Sequence, residues 1–310
     1  MELWRKRKEK GKARKCFLEN GSIFLEKLIA DCNGISNPIR MFSFDQISKA
    51  TNDFDPKCCL NEYMQFRWYK GNIEGRPYTI KRYPERLYER KEEMAYNEIA
   101  LSARVSNHSG FLKLIGCCLE FPFPVLVFED LDYTVMNHRG SVGSFLEAPL
   151  LPWNVRLKIA KEIAIAITYL HTAFPRIIIH RDILPTNVFL DKNGKAKLAD
   201  FFYAIALPEG KSWILEEQVY GIMGYIDPTY FSTRLLTEYS DVFSFGILML
   251  KGEFTETIYR VGVRDIVEAE RCQVDMLVNL TFRCCERSVE KRPKMIDVAK
   301  ELKRIERSLS

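Results

Sequence analysis

The sequence predicts an α+β fold of two lobes, a strand-rich front followed by a helix-rich back, with a cleft between them. Two observations carry this. Residues 60–131 alternate short apolar runs with turn residues and hold one helical stretch. From about residue 150, apolar residues recur every three or four positions, the period of buried helices. At 310 residues and 47% hydrophobic content the chain has ample material for a core.

Taken in order, the chain opens with residues 1–41, a basic and helical extension. Phe17, Leu18, Phe24, Leu25 and Leu28 predict an amphipathic helix over 17–28. Asn33-Gly34 and Asn37-Pro38 read as turns. The strand-rich part spans 42–131. It begins with Ser43 as the cap of a helix through Ala50, with Phe44, Ile47 and Ala50 on one side. Strands are predicted at 67–70, 78–83, 112–115 and 125–128, with a helix at 92–105 and a stiff Phe121-Pro122-Phe123-Pro124 connection. The helical part spans 132–310. Val155, Ile159, Ile163, Ile167 and Leu170 form one buried stripe. Val188–Leu190 and Ala196–Leu198 flank Asn193-Gly194, a hairpin signal. Residues 244–250 and 296–305 are further helices.

Charge is unevenly distributed. Residues 1–15 hold Arg5, Lys6, Arg7, Lys8, Lys10, Lys12, Arg14 and Lys15 against Glu2 and Glu9, a balance of +6. The remainder is nearly neutral, with 38 basic and 39 acidic residues. The basic segment is a solvated tail, a contact for anionic lipid, or a nuclear import signal. The body offers no basic patch for nucleic acid. No apolar run reaches the length of a membrane span, and the charged start predicts no secretory signal. Met1-Glu2 lacks the glycine that myristoylation needs. The nine cysteines include the pairs 58–59, 117–118 and 284–285, a spacing that suits reduced, buried thiols rather than zinc. These points predict a cytoplasmic protein, with recruitment to the plasma membrane left open.

The most specific stretch is His180-Arg181-Asp182-Ile183-Leu184-Pro185-Thr186-Asn187, followed thirteen residues after Asn187 by Asp200-Phe201-Phe202. It resembles the catalytic loop and magnesium loop of protein kinases. The resemblance makes Asp182 the base position and Asn187 and Asp200 the metal positions. Ile80-Lys81 matches the nucleotide lysine and Asn97-Glu98-Ile99 its helix partner. Gly224–Pro228, Ser240–Gly246 and Arg292-Pro293 match later landmarks, so the two lobes are expected to be those of a protein-kinase fold.

The departures are as specific as the matches. Counting back from Tyr69-Lys70-Gly71, the three glycines of the phosphate loop fall at Asn61, Tyr63 and Phe66. Leu184 replaces the lysine near the transferred phosphate, and Phe202 replaces the glycine of Asp-Phe-Gly. Arg181 would receive a loop phosphate, yet Ser212 is the one Ser or Thr between Asp200 and Asp227. Thr229 replaces the glutamate expected to pair with Arg292, which predicts a loosened region there. The interval from Asp241 to Arg292 is short for the family.

Phe42 through Phe54 resembles the lead-in of plant receptor-like kinase domains. Phe17–Ser22, Leu28–Gly34, Phe121–Phe128 and Leu151-Pro152-Trp153 resemble the ZED-related (ZRK) pseudokinase group of receptor-like cytoplasmic kinases. That resemblance implies an adaptor. It would bind a nucleotide-binding leucine-rich-repeat immune receptor and recruit other cytoplasmic kinases modified by bacterial effectors. No cofactor would be required, with residual ATP and magnesium binding left open. The alternative is a weakly active, atypical Ser/Thr kinase, because Lys81, Glu98, Asp182, Asn187 and Asp200 are all present. A degenerate product without a role is the third reading.

Overall fold

A computed structural model describes residues 2–32, 39–62, 66–84, 92–130, 151–251 and 268–308. The chain divides into two compact units, residues 1–131 and 132–310.

The first unit opens with helix α1 (Glu2–Cys32). It is longer than the apolar spacing predicts. Periodicity marks only the packed part, whereas Lys, Arg, Glu and Ala before it are strong helix formers that extend the same helix. Strand β1 (Arg40–Met41) leads into α2 (Phe44–Thr51). Ser43 caps α2 in a reciprocal box with Gln46, satisfying backbone donors that the first turn leaves open.

Five further strands complete a six-stranded sheet: β2 (Cys59–Glu62), β3 (Arg67–Ile73), β4 (Arg76–Arg82), β5 (Leu114–Cys118) and β6 (Val125–Glu129). Its order is β1-β5-β6-β4-β3-β2. Helix α3 (Glu92–Val105) matches its predicted bounds. β5 sits two residues later than predicted. Gly116 reads poorly as a strand residue, but β1 runs parallel beside it, and a Cβ there would lie 1.9 Å from the Arg40 carbonyl oxygen. Close backbone approach, not propensity, places that strand. Phe42, Ile47, Phe54, Tyr69, Ile80, Phe121, Val125 and Val127 share one buried cluster, so the aromatic lead-in is core of this unit.

The second unit is mainly helical. α4 (Trp153–Thr172) buries the predicted stripe from Ile159 to Leu170. Short strands follow: β7 (Ile178–Ile179), β8 (Val188–Leu190), β9 (Ala196–Leu198) and β10 (Ile205–Ala206). β8 and β9 form the predicted hairpin, with Gly194 at positive φ in its turn. β7 pairs with β10, and β11 (Trp213–Leu215) pairs with β12 (Leu235–Thr237). Helices α5 (Pro228–Thr233), α6 (Glu238–Lys251), α7 (Glu268–Cys284) and α8 (Met295–Arg307) follow among the described residues. The Trp153 indole donates to Gln273 at 2.8 Å, and Gln273 donates to the Ile305 carbonyl at 2.6 Å. One buried amide therefore ties α4, α7 and α8 together.

Candidate active site

The predicted site residues fall on both units, and each set is held by its own elements. In the first unit, Lys81 on β4 and Glu98 on α3 form a fully buried ion pair, with both carboxylate oxygens 2.8 Å from Nζ. The Tyr83 hydroxyl also donates to Glu98. Tyr83 lies just past the end of β4, two residues after Lys81, where the alternation of the strand puts the two on one face.

Phe66 packs its ring 3.9 Å from Lys81 Nζ, within cation–π range. Trp68, opposite Lys81 in the β3–β4 register, and Tyr83 lie at 5.6 and 5.3 Å. Lys81 has no exposed surface, and Phe66 is itself buried. Of the other glycine-loop positions, Asn61 lies in β2, its backbone paired with Trp68 beyond a bulge, and Tyr63 falls outside the described residues.

In the second unit, the motif residues 180–187 follow β7 and end in a tight 3-10 turn, Pro185–Asn187. Asn187 Nδ2 donates to the Asp182 backbone oxygen and to its carboxylate, each at 2.8 Å. Asp200 adopts φ +69° and accepts from the Phe202 backbone N–H at 3.1 Å. Phe202 and Phe201 are buried, and so is Leu184. Where the family carries a cation, this chain packs a hydrocarbon.

Asp241 on α6 organises the loop backbone. It accepts from the His180 and Arg181 backbone N–H groups at 2.8 and 2.9 Å and contacts His171 Nε2 at 2.9 Å. Its carboxyl pKa lies below the ordinary range. Burial opposes this, and the hydrogen bond and charge of His171 with the His180 contacts outweigh it. Burial pushes the His180 imidazole pKa down, outweighing Asp241 and Asp200. Neutral His180 fits its surroundings: Nε2 faces the Ala199 carbonyl at 3.1 Å and Nδ1 accepts from the Asp182 N–H at 3.3 Å.

Two acids that the sequence reading did not single out complete the picture. Arg181, the predicted phosphate receiver, pairs with Glu216 at 3.2 Å and donates to the Tyr203 carbonyl. Arg292, expected to have lost its acid, holds both Asp227 oxygens at 2.7 and 2.9 Å and is buried. The expectation of a loosened region is therefore corrected. Asp227 caps α5 from two residues before Thr229, and its carboxylate reaches the guanidinium in place of the missing glutamate. The spacing of Asp227-Pro228 from Arg292 carried no signal of this, because the pair spans 65 residues.

Asn187 and Asp200 offer the hard oxygen donors that magnesium favours, but such sites complete their coordination with substrate phosphates and water. Among the described residues no cluster of three or more His, Cys, Asp or Glu is placed to hold a metal by itself.

The protein kinase domain model matches residues 69–308. The chain is 53% identical to the Serine/threonine-protein kinase ZRK1 of Arabidopsis thaliana, over 98% of this chain and 95% of the relative. It is 50% identical to the Non-functional pseudokinase ZRK2 of the same plant, covering 97% and 93%. To the Non-functional pseudokinase ZED1 it is 42% identical, covering 97% and 99%. The chain belongs to the ZED-related group of the protein kinase family. Within that group, relatives named as kinases and as pseudokinases stand at similar identity, so the residues decide more than the names. The short interval noted between Asp241 and Arg292 includes 252–267, which lie outside the described residues. No helix among the described residues is long and apolar enough to cross a membrane.

Proposed function

We propose that this ZED-related chain is a pseudokinase. It serves as an adaptor that binds a nucleotide-binding leucine-rich-repeat immune receptor and recruits other receptor-like cytoplasmic kinases, including those modified by bacterial effectors. The observation that carries the loss of catalysis is the Phe66 ring over Lys81. An active site needs that ammonium available to the nucleotide phosphates. Here it is enclosed by three aromatic rings and a carboxylate. A glycine at position 66 would let backbone N–H groups approach phosphate, and a phenyl group fills that space.

The adaptor role rests on the family resemblance. Two further observations support it. Trp213, Leu215, Met223 and Phe231 expose large apolar surfaces at 52, 69, 71 and 52% on the segment that in kinases docks substrates. Such surface suits a protein partner. The segment is also held by ion pairs within the chain, Arg181–Glu216 and Asp227–Arg292.

Mg-ATP titrated against thermal unfolding should give no magnesium-dependent shift at micromolar nucleotide, since any ligand of the native state raises apparent stability. A clear shift there overturns the nucleotide claim. Co-immunoprecipitation with a panel of leucine-rich-repeat receptors should retain the chain, and retention should survive Asp182→Asn and Asp200→Asn. A folded protein retained by no receptor removes the adaptor claim. The intact Lys81, Glu98, Asp182, Asn187 and Asp200 favour a second reading, an atypical Ser/Thr kinase. Phosphate transfer that Asp182→Asn abolishes would establish it.

A further inference from the structure

Helix α1 has two faces with different chemistry. One is built into the first unit. Asn20 Nδ2 donates to the Leu119 and Phe121 carbonyls at 2.7 and 2.9 Å, and its Oδ1 accepts from the Tyr96 hydroxyl at 2.5 Å. Phe24 is buried on the same side, and Lys27 pairs with Glu93 of α3 at 3.8 Å. These contacts fix the rotation of the helix about its axis.

At 3.6 residues per turn, Leu18 and Leu25 then fall on the side roughly opposite Asn20. They are 62% and 58% exposed, and neighbouring Phe17 is 42% exposed. A helix whose sole task was to pack on α3 would put polar residues there. Arg14 stands one turn before Leu18 and Lys10 one turn before Arg14, both exposed, and Lys12 and Lys15 are exposed beside them. Residues 2–9 continue the same helix and contain Arg5, Lys6, Arg7 and Lys8. The acids of the exposed part, Glu19 and Glu26, sit together on one flank, where Glu19 meets Lys15 at 3.7 Å.

We propose that the outward face of α1 lies on an anionic bilayer surface. Leu18 and Leu25 enter the boundary between headgroups and acyl chains. Lys10 and Arg14 meet the anionic headgroups. An amphipathic basic helix binds such surfaces through buried apolar area and electrostatic attraction together, and each basic residue near the surface adds to the attraction. The combination separates this reading from a polyanion in solution. Nucleic acid would use the charge and leave two exposed apolar side chains, Leu18 and Leu25, without a role. The docked face leaves α1 anchored to the fold, so lipid contact needs no unfolding. This inference is independent of the adaptor reading.

The test is sedimentation of the full chain with vesicles of phosphatidylcholine alone and with about one-third phosphatidylserine. Binding is expected only with phosphatidylserine. It should weaken at least about 10-fold in Leu18→Ser/Leu25→Ser and in Lys10→Glu/Arg14→Glu. All four positions are exposed, so thermal unfolding should stay at the wild-type midpoint, which confirms that lost binding is not lost folding. No sedimentation with either vesicle overturns the proposal, as does equal sedimentation with both. If Leu18→Ser/Leu25→Ser binds phosphatidylserine vesicles like the wild type, the helix is a polybasic segment only, and the proposal fails. Duplex DNA bound more tightly than the vesicles would assign the face to nucleic acid instead.

Discussion

At the scale of single residues, Lys81 keeps its family partner Glu98 and lies against the rings of Phe66, Trp68 and Tyr83. A buried ion pair gives little net stability, because desolvation offsets the attraction, but removing one partner leaves an uncompensated charge. Lys81→Met is therefore expected to cost about 3–5 kcal/mol in urea unfolding. Lys81→Met/Glu98→Leu should recover part of that loss. A Lys81→Met variant as stable as the wild type would show that the pair is not holding the unit together. His180 gives a pH prediction. Its folded pKa is held below the ordinary value of 6.5, so the unfolded chain takes up the proton first as pH falls. Its contribution is complete above about pH 6.5 and declines as pH falls towards the folded pKa. Asp241 is also depressed, from 3.8, so its contribution is lost only in a separate, more acidic window. Chemical denaturation between pH 7 and 5 should show a shallower pH slope for His180→Gln than for the wild type. Equal slopes would place the titration elsewhere.

At the scale of elements, α1 is joined to the first unit by the buried Asn20 amide, by Phe24 and by the Lys27–Glu93 pair. Asn20→Ala would remove the donor to the Leu119 and Phe121 carbonyls and one acceptor of the Tyr96 hydroxyl. The expected cost is about 1–3 kcal/mol, with faster amide exchange along residues 10–28 and little change in α6. Much of the element inventory was legible beforehand. The Ser43 box, α3 and the β8–β9 hairpin carry local signals, caps and turn residues that act within a few positions. What was illegible is non-local. The shift of β5 depends on a parallel neighbour more than 70 residues away. The full length of α1 depends on residues with helix propensity but no apolar stripe.

At the scale of the whole molecule, the family was legible because its landmarks are spread through both units. The altered phosphate loop was legible in part. Asn61, Tyr63 and Phe66 pointed to a missing phosphate cradle, but not to Phe66 lying on Lys81, which needs the fold of β3 against β4 to be known. Arg292 was misjudged because its new acid is not at the family position. The cysteines offer a global check. Burial pushes the Cys117, Cys118 and Cys284 thiols up to about 12. Cys285 is raised to about 11. Among the described cysteines Cys272 alone is exposed. Alkylation at neutral pH, read by mass spectrometry, should label Cys272 first, because the thiolate is the reactive form. Cys117, Cys118 and Cys284 should react only as the protein unfolds. Early labelling of that trio would contradict the packing described.

The Arg181–Glu216 pair has a consequence for timing. A phosphate on an activation segment is a record of a past event, added by one enzyme and erased by another. Glu216 is translated with the chain and is present from the moment of folding. The guanidinium that other kinases keep as a reader of cellular history is here answered once, by inheritance. Under the proposed immune role, whatever changes when a pathogen arrives would then be written on another molecule.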